Sequence, residues 1–227
     1  NPKDTRSRCS IFIEVDGVNL VVDTGPDFRA QMLGAKVTDL DAVLFTHEHK
    51  DHVAGLDDIR AFNFKSGGKA MDIFATKQVQ EALKREFSYV FSDYKYPGVP
   101  ELNLRTISNE DFNVKGVEVT PIDLLHYKMP VKGFRIKDFA YVTDTNHIPK
   151  AEMQKLYGLD VLILDALRKE KHLSHFTLDE AVEIIKELKP KQAYLTHISH
   201  LMGLHEEVQK VLPEGIDLSY DGLVINL

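Results

Sequence analysis

The stretch "LFTHEHKDHVAGL", residues 44–56, sets His47, His49, Asp51 and His52 directly behind an apolar run. Upstream, "DAVLF" at 41–45 reads as a buried strand, so the polar cluster begins where the strand ends. His47 and His49 stand two apart, and in an extended segment alternate side chains share a face, so both can grip one ion. Asp51 and His52 follow where the chain turns toward a helix and can face a neighbouring ion, while Glu48 and Lys50 point away. The spacing admits a two-ion site that needs distant ligands to complete both shells. Histidine and carboxylate donors without cysteine suit zinc, iron or manganese.

Other apolar runs end in the same residue types. "VVD" closes on Asp23, "IDLL" on His126, "AYVTD" on Asp144 and "AYLT" on His197. In open α/β sheets active sites gather at the carboxyl ends of strands, so residues far apart in sequence converge there.

The organisation around these ends is an alternation of strands and helices. "CSIFIEV" and "VNLVVD" flank Asp16-Gly17, whose tolerance of positive φ predicts a hairpin. "DFRAQMLGA", "DDIRAFNF" and "KQVQEALKREF" carry apolar residues at helical spacing. The second half runs through strand "VEVTPIDLL", strand "AYVTD", helix "AEMQKLYG", strand "DVLILDA", helix "LDEAVEIIKELK" and strand "QAYLTH". A final helix and a hairpin around Asp221-Gly222 complete it. No linker rich in Gly, Ser or Pro divides the chain, which predicts one layered α/β domain over residues 1–227. The aromatic, proline-bearing stretch 88–103 reads either as a lid over a pocket or as an irregular surface loop.

Bulk properties exclude several classes. With 227 residues, 43% hydrophobic and 28% charged, the chain lies in the globular range. Its 28 basic and 35 acidic residues give a net charge of -7, which disfavours long nucleic acid as a partner. No run approaches the ~20 apolar residues of a membrane helix, and no signal-peptide pattern opens the chain, so a cytoplasmic location is expected. The single cysteine, Cys9, makes no internal disulfide and is expected to be a small buried residue of the first strand.

The residues at 46–52, T-H-E-H-K-D-H, match the H-x-H-x-D-H signature of the metallo-β-lactamase superfamily, and "LLH", "VTDT" and "LTHISH" follow in that superfamily's order. More closely, "SRCSIFIEVDG", "FTHEHKDHVAGL", "SHFTLDEAV", "LTHISH" and "LPEGIDLSYDGLVI" resemble the PhnP subfamily of phosphodiesterases, which cleave ribose cyclic phosphates. The resemblance implies an α/β fold, the four-layer αββα metallo-β-lactamase sandwich. It implies two divalent ions, Mn2+ or Zn2+: His47, His49 and His126 match the ligands of one, Asp51, His52 and His197 those of the other, and Asp144 bridges them. Asp23 matches a carboxylate that orients ligands through hydrogen bonds. His175 matches the catalytic histidine of the phosphodiesterase branch.

The implied reaction is hydrolysis of a small phosphodiester, a ribose cyclic phosphate among the candidates. Two ions sharing a water create a hydroxide nucleophile, with Asp51 and His175 as the expected catalytic residues, Asp51 also as a metal ligand and His175 as the general acid. Three other readings stay open: a tRNA-processing-type nuclease, a glyoxalase II-like thioesterase and a non-catalytic metal-dependent carrier. Monomer and homodimer are both compatible with the chain.

PhnP-like proteins carry a strand and a cysteine cluster at the front which, with the second histidine of "HISH", hold a structural zinc. Here no cysteine precedes Cys9. The expectation is a chain lacking that front segment, in which case a further Zn2+ belongs near His200. The alternative is that the zinc is absent and His200 is a surface residue at a helix start. His147, His172 and His205 match no motif and are expected to face solvent, His172 with some interest because the basic run "RKEKHLSH" joins it to His175.

Overall fold

The Asp16-Gly17 pair turns the chain as its sequence predicts. Both residues take positive φ, 51° and 76°, and they join β1 (Ile11–Val15) to β2 (Val18–Val22) as an antiparallel hairpin. The structure, a computed structural model, describes residues 1–227. The chain divides into two units, one over Arg8–Ser108 with Asn113–Val117, the other over Asn1–Ser7, Asn109–Phe112 and Glu118–Leu227.

In the first unit β2 is followed by helix α1 (Phe28–Gly34), strand β3 (Ala42–Leu44), the short helix α2 (Lys50–Val53) and helix α3 (Arg60–Lys65), which continues a 3-10 turn over Leu56–Ile59. Strand β4 (Met71–Ala75), helix α4 (Lys77–Glu86) and strand β5 (Leu102–Thr106) close the unit. The sheet runs β1-β2-β3-β4-β5, parallel from β2 onward. Parallel strands are covered on both faces and so read as apolar runs, as "AVL" does and as "MDIFA" does apart from the half-buried Asp72. Phe28, Phe45, Leu56, Ile59, Ile73 and Leu83 fill the core of this unit. Residues 87–101 carry neither helix nor strand.

The second sheet is built from β6 (Phe112–Val114), β7 (Val117–His126), β8 (Met129–Ile136), β9 (Phe139–Val142), β10 (Val161–Asp165), β11 (Gln192–Thr196) and β12 (Ile216–Leu218). Its order is β12-β11-β10-β9-β8-β7-β6, with β9 to β12 parallel and the β7-β8-β9 meander antiparallel. Helix α5 (Lys150–Met153) and a 3-10 turn over Gln154–Leu156 share the segment where one helix was expected. Helix α6 (Leu178–Leu188) and helix α7 (His205–Gln209) complete the unit. Leu162, Leu164, Ala181, Ile185 and Leu195 lie in its core.

Three sequence expectations are corrected here. Asp221-Gly222 forms a turn, but no strand returns after it, because β12 pairs in parallel with β11 and residues 223–227 stay outside the sheet. Cys9 is half-buried and precedes β1 instead of lying buried within it. His205 is buried, its Nδ1 3.1 Å from Arg6 Nη2. That contact spans 199 residues, so local sequence carries no trace of it.

Helix α6 owes its start to a capping box. Thr177 Oγ1 accepts from Glu180 N at 3.1 Å, and Glu180 Oε2 accepts from Thr177 N at 2.9 Å. Its end is set by Lys189, which takes a left-handed φ of 51°. Thr177→Ala should lower unfolding free energy by about 1 kcal/mol in urea titrations, and Thr177→Ser should restore it.

Candidate functional site

Asp23, fully buried at the end of β2, organises the histidine motif of the first unit. One of its oxygens accepts from Thr46 N at 2.9 Å; the other accepts from Thr46 Oγ1 at 2.7 Å and stands 2.7 Å from His52 Nδ1. A carboxylate can only accept here, so His52 Nδ1 carries the proton and Nε2 keeps its lone pair. The same logic reaches His47. Thr46 Oγ1 gives its proton to Asp23, so it accepts from His47 Nδ1 at 2.9 Å, which again leaves Nε2 as the donor atom. Such support fixes tautomer and ring orientation ahead of metal binding.

Backbone contacts wrap the motif around the same point. Asp23 N donates to Leu44 O at 2.9 Å, Thr24 N to His52 O at 2.7 Å and Gly55 N to Thr24 O at 2.8 Å. This closeness demands glycine. A Cβ at Gly55 would lie 2.2 Å from Gly25 O, and one at Gly25 would lie 2.3 Å from Asp51 O. Within the loop the His47 and His49 rings stand 4.6 Å apart and the His47 and His52 rings 4.2 Å apart, while Asp51 Oδ2 lies 3.8 Å from His52 Nε2. Glu48 and Lys50 turn to α4, where Gln78 Nε2 donates to Glu48 at 2.7 Å and Lys50 pairs with Glu86.

The second unit assembles its own row of donors. His126 ends β7, with Nδ1 2.9 Å from Ser174 O, so the ring donates there and Nε2 is left free of the proton. The His126 and His175 rings are 4.6 Å apart, and the His175 and His197 rings stack at 4.7 Å. His197 Nε2 lies 3.0 Å from Asp144 Oδ1. Donor atoms of Asp144, Asp165, His175 and His197 all lie within 4.8 Å of one another. Asp23, Asp144 and His197 share a backbone trait: φ is 64°, 49° and 58°, the left-handed region that non-glycine residues rarely enter and that recurs at functional sites.

Asp165 was missed by sequence reading although it obeys the same strand-end rule, closing β10 in "VLILD". It is fully buried. Oδ1 accepts from Asp144 N at 3.1 Å and stands 3.1 Å from His175 Nδ1, and Oδ2 accepts from Phe176 N at 3.1 Å. Burial pushes the Asp165 carboxyl up from its ordinary range, against the opposing pull of His175 and His197. It thus seats both the loop that presents His175 and the turn that presents Asp144. His172 is half-buried with its ring 5.1 Å from that of His175, and burial, with the nearby His175 and Arg168, holds it below the usual histidine value. His147 and His200 are exposed.

The donor chemistry fits divalent metal. Each unit presents imidazole and carboxylate groups, and Nδ1 of His47, His52, His126 and His175 is tied to a neighbouring oxygen, the supporting pattern of metal-binding histidines.

Comparison with known proteins agrees with this chemistry. Residues 18–198 match the beta-lactamase superfamily domain, and the chain therefore belongs to the metallo-β-lactamase superfamily. Within it the chain falls in the PhnP family. A crystal structure described as a new diphosphatase from that family is 39% identical, with a TM-score of 0.91, covering 98% of this chain and 85% of that one. A protein of Porphyromonas gingivalis named octanoyltransferase is 36% identical over 223 residues, 97% of this chain but 45% of that relative, so the chain spans less than half its length. A ribonuclease Z of Pyrobaculum islandicum is 27% identical over 247 residues, 87% of this chain and 83% of that protein. The fold is that of a metallo-hydrolase, and none of its helices is long and apolar enough to cross a membrane.

Asp23→Ala should leave far-ultraviolet dichroism native and weaken zinc retention against a chelator about 10- to 100-fold. Unchanged retention would mean that the Thr46 and His52 contacts do not support metal binding.

Proposed function

We propose that the protein is a metal-dependent phosphodiesterase that hydrolyses a small phosphodiester, with His175 as general acid. The observation that carries this reading is the seating of His175. Asp165 Oδ1 accepts a hydrogen bond from His175 Nδ1–H, so Nε2 is the ring atom available to hold a proton and deliver it to a leaving oxygen. His175 also lies between His126 and His197, ring against ring, in the row of donors that the second unit presents.

In this reading His47, His49 and His126 serve one divalent ion, Asp51, His52 and His197 serve a second, and Asp144 serves both. Mn2+ and Zn2+ each suit the set. When bound, such ions supply an activated water at neutral pH and neutralise charge on the reacting phosphate. Asp23 and Asp165 accept from Nδ1–H of His52 and His175 and so keep both rings oriented. Proton delivery from His175 compensates the charge that builds on the departing oxygen.

The PhnP-family diphosphatase, 39% identical over nearly the whole chain, supports a phosphoric ester or anhydride as substrate. A ribose cyclic phosphate is the first natural candidate, and a chain acting alone or as a homodimer would serve equally. A structural zinc at the exposed His200 would require cysteines from outside this sequence. The ribonuclease Z relative favours a second reading, a tRNA-processing-type nuclease. The net charge of -7 weighs against a long polyanion. Acyl transfer, the activity in the name of the Porphyromonas relative, is not assigned, because the chain matches 45% of that protein.

The test is hydrolysis of bis(p-nitrophenyl) phosphate, p-nitrophenyl phosphate and a chromogenic thioester by metal-stripped protein reloaded with manganese or zinc. Turnover of the diester above the other two supports the proposal. Preference for the thioester, or no turnover by fully loaded protein, overturns it. His175→Ala should keep its metal content and lose about 10^2- to 10^4-fold in kcat. Metal loss with unchanged turnover per bound ion would refute the role of His175.

A further inference from the structure

We propose that Arg8 is a substrate-binding residue that selects substrates carrying a second phosphate beside the one attacked. The inference rests on the phosphodiesterase reading and deepens it. Arg8 stands in "SRCS", just ahead of β1, and its backbone is held from both sides. The amide N–H donates to Asp27 Oδ2 at 2.9 Å, and the carbonyl accepts from Gln31 Nε2 at 2.7 Å. Gly25 lets this segment lie against the histidine motif. A Cβ there would meet Asp51 O at 2.3 Å and Arg8 Cβ at 3.2 Å. The segment is therefore fixed at the motif's edge by three separate constraints.

The side chain it delivers is not used up by the fold. Arg8 Nη1 lies 3.7 Å from Asp51 Oδ2, and the side chain is 60% exposed. At that distance there is charge attraction but no hydrogen bond. An exposed pair of this kind adds little stability, and an arginine recruited to brace a carboxylate forks onto it at shorter range. The other cations along the motif are engaged: Lys50 with Glu86, and Arg60 with Asp57 at 3.2 Å. Arg8 is a positive charge fixed at the motif's edge with its side chain 60% exposed, and its planar fork matches phosphate oxygens two at a time. A phosphate adjoining the reacting one, whether in a diphosphate or on a phosphorylated sugar, is the anion that reaches it.

The experiment compares wild type, Arg8→Ala and Arg8→Lys as metal-loaded proteins. Two substrates are used, ADP-ribose with two phosphates and bis(p-nitrophenyl) phosphate with one, and binding of inorganic pyrophosphate is followed by calorimetry. Arg8→Ala should raise KM for ADP-ribose about 10- to 100-fold, with a much smaller change in kcat. The ratio of kcat/KM between the two substrates should fall by about tenfold or more, and pyrophosphate affinity should fall by a similar factor. Arg8→Lys should recover part of the loss, since it keeps the charge without the fork. Equal losses on both substrates, or lowered metal content, would show that Arg8 only steadies Asp51 and would overturn the proposal. If wild type hydrolyses neither ester, the phosphodiesterase reading fails on its own. Pyrophosphate affinity then decides the matter for Arg8: weakened in Arg8→Ala supports it, unchanged sinks it.

Discussion

The first unit depends on one buried carboxylate. Asp23 has no solvent to satisfy it, and burying an unpaired acid costs several kcal/mol, so Thr46 N, Thr46 Oγ1 and His52 Nδ1 must all be in place. Those three partners lie on either side of the histidine motif, at the end of β3 and inside α2. Satisfying one acid therefore fixes both ends of the loop between them, and with it the aim of His47 and His52. Core packing sets where β2 and β3 lie, and the Asp23 network turns that placement into donor geometry.

The second unit solves the same problem with a different residue. Asp165 gathers two backbone N–H groups and one imidazole, and so ties the turn at Asp144 to the loop at His175. The two acids differ in what they hold. Asp23 braces side chains assigned to metal binding, whereas Asp165 braces a residue assigned to proton transfer as well as a donor turn. In both cases the acid is wholly enclosed and its service to the site is indirect.

Much of this was legible in the chain because strand ends announce themselves. "VLF" into Thr46-His47, "AYVTD" into Asp144 and "AYLT" into His197 each mark an apolar run closing on a donor, and the structure places His197 one, Asp144 two and His47 three residues beyond the end of a strand. Asp165 closes "VLILD" in the same way but shows its purpose only through His175, ten residues on, and that pairing is tertiary. Strand β8 escaped notice because "MPVKGFRI" carries Pro130, Lys132, Gly133 and Arg135, a poor strand composition whose buried Lys132 is matched by Asp123 on β7. Strands β4 and β5 were also unread, the latter because it emerges from the proline-bearing stretch 88–103. The capping box of α6, by contrast, is written in four consecutive residues, Thr177 to Glu180, and local chemistry suffices to find it.

The left-handed backbone at Asp23, Asp144 and His197 bears on how such a site can change over evolutionary time. Aspartate, asparagine and histidine enter that region more readily than other side chains, and most replacements there incur about 1–2 kcal/mol of conformational cost before any donor chemistry is considered. His47, His49 and His126 lie in ordinary backbone and carry no such restriction. A lineage drifting toward a softer or harder ion would therefore find its accessible substitutions at His47, His49 and His126, while Asp23, Asp144 and His197 stay fixed by the shape of the chain beneath them.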